Sequence, residues 1–221
     1  MYSEAHKSYD ATNRLLSFNT DNIIRKRAAE AILSSNPSNV LDIATGTGDL
    51  AILTARYANE KGLKTKVTGI DMNAGMLGVA REKASRNGIK NVVFEKGNAL
   101  GLKYRTGYFD AAVCSFALKN FDSQERFLKE ANRVLKSNGT FVIIDISKPS
   151  SMTGRLAFGV YTKYMEMFGI LTGKKLYQWL PGSTAGFNRN NFVKLIKAAG
   201  FRSIRINEYL FGISYMLICR K

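Results

Sequence analysis

The feature that most narrows the possible folds is an alternation. Short apolar runs, NVLDIA, KVTGID, NVVFEKG, FDAAVCSF and TFVIIDI, recur along the first 146 residues, and most are separated by stretches with helical periodicity. Runs of this length read as buried strands, and the helical stretches between them read as crossovers. The sequence therefore predicts a doubly wound α/β domain with a mainly parallel sheet.

The helices can be placed from their end signals. Asp21 precedes IIRKRAAEAIL, where Ile24, Ala28, Ala31 and Ile32 share a face. A second helix is expected from Asp49 to about Lys61, and a third from about Asn73 to Asn87, closing at Gly88. Asp122 is expected to cap a fourth through Leu135, with Asn138-Gly139 as its stop signal. After Pro149 the pattern changes. Met152 to Leu171 is rich in Phe, Tyr, Met and Leu, but Arg155, Lys163 and Glu166 interrupt it, so a lid or amphipathic surface helix is expected rather than a membrane span. A last helix around Asn191–Ala199 ends at Gly200, and FRSIRINEYL and FGISYMLICR are expected to form an antiparallel hairpin at the sheet edge. The reading is one domain over 1–221: a helical cap at 1–36, a cofactor-binding core at 37–150, and a lid segment with the C-terminal helix and hairpin at 151–221.

Composition removes several classes of function. With 45% hydrophobic residues in 221, there is material for a full core. Cys114 and Cys219 both lie in strand-like runs, so a disulfide scaffold is not expected and a reducing interior is. The single histidine, His6, excludes a histidine-rich metal centre and argues against a Ser/His/Asp triad. MYSEAHKSYD has no signal-peptide hydrophobic segment, and a cytoplasmic location is the expectation. Net charge is +16, and the chain from Ser147 onward holds 12 basic residues against only Glu166 and Glu208. That bias suits an anionic partner, whether nucleic acid, phosphorylated substrate or membrane surface; plain solubilising charge explains it equally well.

The glycine turn LDIATGTGDLA is the first motif with chemistry. Gly46, Gly48 and Ala51 match G-x-G-x-x-G/A after a strand, and Asp71 follows 20 residues beyond Ala51, as in dinucleotide-binding units. The glycines admit a ligand to the backbone, and Asp71 can accept hydrogen bonds from a ribose diol. These features suit any adenosyl ligand, NAD included. Two residues separate the choices. A carboxylate at Asp42 would repel a pyrophosphate but welcome an ammonium group, and Asn98 can read an adenine edge. Acid, glycine turn, acid and polar residue at successive strand ends favour S-adenosylmethionine over NAD.

At this point the chain resembles the UbiE-type C-methyltransferases of menaquinone and ubiquinone biosynthesis. YDATNRLLSFNTD carries Tyr9, Asp10, Asn13, Ser17 and Phe18 of the family's opening segment. LDIATGTGDL, GIDMNAGML, GNA, FDAAVCSFALKN, RVLKSNG, IDISKP, YQWLPGSTAGF, KAAGF and FGIS follow in order. The resemblance implies a Rossmann-like, seven-stranded, mainly parallel sheet with an antiparallel last strand. It also implies an S-adenosylmethionine site to which Thr47, Met72, Ala99 and Ser115 belong beside Asp42, Gly46, Gly48, Asp71 and Asn98. The implied acceptor is a prenylated quinol, of the demethylmenaquinol or ubiquinol-precursor type. Three departures stand out: Ala44-Thr45 before the glycine turn, Lys119 where the S-F-G-x-R-N motif has arginine, and GFNRN without the usual proline. The first is expected to be harmless; the second matters because lysine lacks the planar fork and has a more movable pKa.

Methylation at a ring carbon needs a phenolate neighbour, and few side chains here can help to make one. Lys119, beside Asn120, is the candidate to stabilise the phenolate or act as base. Tyr9 and Asp10 could cap the cofactor from the N-terminal segment. The segment from Met152 to Leu171 is where an isoprenoid tail groove would lie, and the basic C-terminal third could dock on anionic lipid. The rival readings are a methyltransferase of RNA or of another small molecule or lipid, and a S-adenosylmethionine sensor without turnover. Against RNA, the basic residues are scattered and no RNA-binding module is recognisable, so no nucleic acid is expected. Oligomeric state is not legible.

Overall fold

The structure is a computed structural model, and it describes residues 20–172 and 187–221. The opening segment with His6, Tyr9, Asp10, Asn13, Ser17 and Phe18, and the stretch YQWLPGSTAGF up to Gly186, lie outside the described residues.

Seven strands form one sheet: β1 (Asn39–Ile43), β2 (Lys66–Asp71), β3 (Val92–Lys96), β4 (Phe109–Ser115), β5 (Leu135–Ile146), β6 (Ser203–Tyr209) and β7 (Ser214–Arg220). Their order is β3-β2-β1-β4-β5-β7-β6. The five strands of the alternating region pair in parallel, and β7 runs antiparallel to both β5 and β6. This is the expected sheet, with one refinement: of the hairpin's two strands β7 is interior and β6 takes the edge, at the opposite side from β3.

Among the described residues six helices cover it: α1 (Thr20–Leu33), α2 (Asp49–Glu60), α3 (Ala74–Arg86), α4 (Gln124–Val134), α5 (Met152–Thr172) and α6 (Arg189–Ala198). Strand alternation sorts the core into two layers. Val40, Ala111, Val113, Val142 and Ile144 face α1, α2 and α3, meeting Ile24, Ala28, Leu50, Leu77 and Ala80. Leu41, Ile43, Cys114, Phe141 and Ile143 face the other way, onto Phe127 and Leu128 of α4 and Phe192 and Ile196 of α6. Strands buried on both faces need continuous apolar runs, which is why they stood out in the sequence.

Two end signals resolve differently from expectation. Ser123, not Asp122, caps α4, its hydroxyl accepting the Arg126 N–H at 3.2 Å. The helix stops at Val134, where Leu135 turns extended (ψ 141°) and enters β5 directly. Asn138, in the left-handed region (φ +63°), and Gly139 therefore sit inside the strand run rather than at a helix end. The Phe109–Leu135 pairing draws the chain into the sheet before that signal is reached.

Candidate active site

In a parallel α/β sheet the ligand crevice opens at the carboxyl ends of the strands, where the strand order reverses. Here the reversal lies between β1 and β4. The sequence-predicted residues lie along that edge: Asp42 and the glycine turn after β1, Asp71 and Met72 at β2, Asn98 and Ala99 after β3, and Ser115, Lys119 and Asn120 at the end of β4.

The turn after β1 is built by three left-handed residues, Ala44 (φ +57°), Gly46 (φ +57°) and Gly48 (φ +80°). Ala44 occupies a conformation that costs a residue with a Cβ about 1–2 kcal/mol. The Asp71 carboxylate ties the turn to β2, accepting the Gly46 N–H at 2.9 Å through one oxygen and the Asn73 N–H at 2.9 Å through the other. Gly48 serves packing as well. A Cβ there would stand 2.8 Å from both the Ala80 Cβ and the Phe94 ring. A Cβ on Gly46 would meet only the Met76 sulfur, at 3.5 Å.

Asp42 is 1% exposed. Its carboxylate accepts a hydrogen bond from the Thr45 hydroxyl at 2.7 Å. Burial raises its pKa to about 7, against the lowering effects of Thr45 and Arg25. A buried carboxylate gains from a cationic ligand beside it, and the ammonium group of S-adenosylmethionine is one. With Asp71 offered to a diol and an uncluttered Gly46, the residues present fit that cofactor.

Other stations are engaged locally. The Thr47 hydroxyl accepts from Lys83 at 3.1 Å, and Lys83 also pairs with Asp49 at 2.6 Å. The Asn98 side-chain oxygen accepts the Leu100 N–H at 2.9 Å. Ala99 is buried in the core, and Met72 is 65% exposed beside Asp71. Ser115 ends β4 half-buried, and Phe116 after it is left-handed (φ +56°).

From Phe116 the chain enters a short 3-10 turn, Leu118–Asn120. Lys119 is mostly buried, with its Nζ 3.6 Å from Oδ1 of Asp145 near the end of β5. The other Asp145 oxygen accepts the Leu118 N–H at 3.2 Å. Burial lowers the Lys119 pKa and Asp145 opposes that; burial raises the Asp145 pKa and Lys119 opposes that. Asp145 is the residue the sequence reading missed. Its signal was an acid in the apolar run TFVIIDI, one residue before the strand's end. Across β5–β7 it faces Tyr215, whose buried hydroxyl has no hydrogen-bond partner among the described residues and whose ring lies under Arg189. Asn120 is exposed at the end of the turn.

Known proteins are similar to this chain in sequence and in fold. A model of the ubiE/COQ5 methyltransferase family matches residues 1–221. A demethylmenaquinone methyltransferase of Thermus thermophilus is 36% identical over 97% of this chain and 96% of its own length. One of Thermotoga maritima is 34% identical over 99% and 93%. Among solved structures, a S-adenosylmethionine-dependent methyltransferase of Thermotoga maritima, described as a possible histamine N-methyltransferase, superposes with a TM-score of 0.67 at 22% identity, covering 98% of this chain and 97% of its own; at that identity the likeness speaks for the fold. The family match over residues 1–221 and the two relatives agree: the chain belongs to the ubiE/COQ5 methyltransferase family and is a S-adenosylmethionine-dependent methyltransferase.

Proposed function

We propose that the enzyme methylates a ring carbon of a prenylated quinol of the demethylmenaquinol type. The observation that carries this reading is Lys119: a mostly buried ammonium group, held by Asp145, at the end of the strand beside the glycine-turn strand. S-adenosylmethionine, when bound, supplies an electrophilic methyl group. The chain's residues then have distinct tasks. Asp42 would hold the ammonium end, Asp71 and Met72 the ribose, and Asn98 with Ala99 the adenine. The backbone at Gly46, Thr47 and Gly48, with Ser115, shapes the crevice around the sulfonium end. The acceptor's phenolic proton would leave to solvent, and the Lys119 ammonium group would donate a hydrogen bond to the resulting phenolate oxygen, with Asn120 orienting the ring. The ring carbon beside that oxygen would attack the methyl group as the methyl–sulfur bond breaks with its electron pair going to sulfur, and the carbon's own proton would pass to solvent as aromaticity returns. Positioning two partners in this way supplies much of the acceleration.

An acceptor with an isoprenoid tail places the enzyme's work at a membrane surface. No helix among the described residues is long and apolar enough to cross one, so contact would be peripheral.

The test is methyl transfer from labelled S-adenosylmethionine to demethylmenaquinol, to a ubiquinol precursor, to RNA and to cell-extract fractions. Label in the demethylated quinol carries the reading, and label in RNA or an aqueous small molecule overturns it. Tight cofactor binding without any transfer would favour a sensor.

A further inference from the structure

Helix α5 is apolar on two opposite faces. Its inner face buries Gly154, Phe158 and Met165. Its outer face carries Met152, Leu156, Val160, Met167, Ile170 and Leu171, each between 56% and 85% exposed. At 100° per residue these six fall within about a third of the helix circumference, and Lys163 lies among them. An exposed aliphatic stripe of this length is unusual on a soluble surface and marks a contact.

The surroundings of the stripe say with what. At the N-terminal end of α5 a cavity of about 420 Å³ is lined by three cations, Lys148, Arg155 and Arg189, together with Pro149, Ser150, Phe187 and two asparagines. Arg189 also pairs with Glu208, but no acidic side chain lines the cavity among the described residues. The turn of Leu210–Gly212 packs against Gly154 at the same end and presents Phe211, 70% exposed. On α5 itself only Glu166 is acidic.

We infer that the outer face of α5 docks on an anionic lipid surface, with the aliphatic stripe at the acyl boundary and Lys148, Arg155 and Lys163 among the phosphates. Lysine and arginine suit this place because their stems lie along apolar surface while their heads reach the headgroups. A second copy of the chain fits less well. Lys163 stands near the middle of the 21-residue helix, so a two-fold antiparallel contact would press two ammonium groups together in an apolar interface. This inference gives the membrane contact proposed above a definite surface. Its test reads lipid binding and not methyl transfer, so either can fail alone.

The experiment is co-sedimentation of the full chain with phosphatidylcholine vesicles, with and without phosphatidylglycerol, at low and high salt. The expected result is binding that needs phosphatidylglycerol and weakens with salt. The double variant Leu156→Glu/Val160→Glu should abolish it. Lys148→Gln and Arg155→Gln should weaken it about five-fold each, from roughly 1 kcal/mol per cation near the surface. Circular dichroism and thermal unfolding should leave these exposed-site variants folded like the parent. The inference is overturned if the parent ignores phosphatidylglycerol, or if Leu156→Glu/Val160→Glu binds as the parent does. A dimer in solution that the same variant dissociates, without vesicle binding, would assign the face to a second copy and overturn it too.

Discussion

Asp145 holds the Lys119 turn from two sides: one carboxylate oxygen stands 3.6 Å from the lysine Nζ, and the other accepts the Leu118 backbone N–H at 3.2 Å. The carboxyl thus fixes where the ammonium group sits and also bears on its protonation. Burial draws the Lys119 pKa down and Asp145 draws it back up.

If the ammonium form stabilises the phenolate, Lys119→Ala should lower kcat about 10²–10³-fold, as removal of an oxyanion donor does. Lys119→Arg should retain part of the rate, since the charge remains. Asp145→Asn should move the alkaline limb of the pH–rate profile to lower pH, because Lys119 then loses the partner that keeps it protonated. In the double variant Lys119→Arg/Asp145→Asn that limb should not move, as arginine does not titrate there. A rate loss that is flat with pH would leave Asp145 a purely structural role.

The same pair predicts a stability signature. Asp145 has a raised pKa in the folded state, so its contribution is greatest below the unfolded carboxyl value and is lost as pH rises through the folded one. Lys119→Ala removes the nearby cation and leaves the carboxylate buried alone. The destabilisation of that variant, followed by urea unfolding, should therefore grow from acid toward neutral pH.

Asp42, with a pKa of about 7, should make cofactor binding proton-linked. An ammonium ligand selects the carboxylate, so binding near neutral pH should release a proton and tighten as pH rises through 7. Titration calorimetry in buffers of different ionisation enthalpy reads this directly. Asp42→Asn should remove the linkage and weaken binding roughly 10–100-fold, the value of a hydrogen bond to a charged group. In the unliganded protein the sign is opposite: the raised pKa means this group's contribution to stability falls as pH rises from about 4 to 7.

Gly48→Ala should cost about 2–4 kcal/mol, from a left-handed residue and a Cβ driven against Ala80 and Phe94. Gly88 shares the left-handed conformation (φ +65°) with nothing within 4 Å of its missing Cβ, so Gly88→Ala should cost only about 1 kcal/mol. Equal losses in thermal unfolding would contradict the packing role given to Gly48.

Ser123→Ala should cost about 1 kcal/mol through the lost cap of α4, and Asp122→Ala a few tenths at most. The reverse order would restore the cap that the sequence suggested.

By itself the sequence determined the alternation of strands and helices, the glycine turn and its acid, and the strand-end positions of Asp42, Asn98 and Ser115. All are local: a buried parallel strand must be continuously apolar, and a turn that hugs a ligand must carry glycine within a few residues. Tertiary structure alone decided the rest. Asp145 meets Lys119 across 26 positions of sequence, because β4 and β5 are neighbours in the sheet and the turn after one folds over the end of the other. The Asp42 pKa is set by burial under packed elements that no window around the residue contains. The end of α4 was decided by the pairing of Leu135 with Phe109 rather than by Asn138-Gly139. For α5, composition showed an aromatic- and Met-rich helix interrupted by Arg155, Lys163 and Glu166, but which apolar face is spent on the core and which stays exposed depends on what packs beneath it.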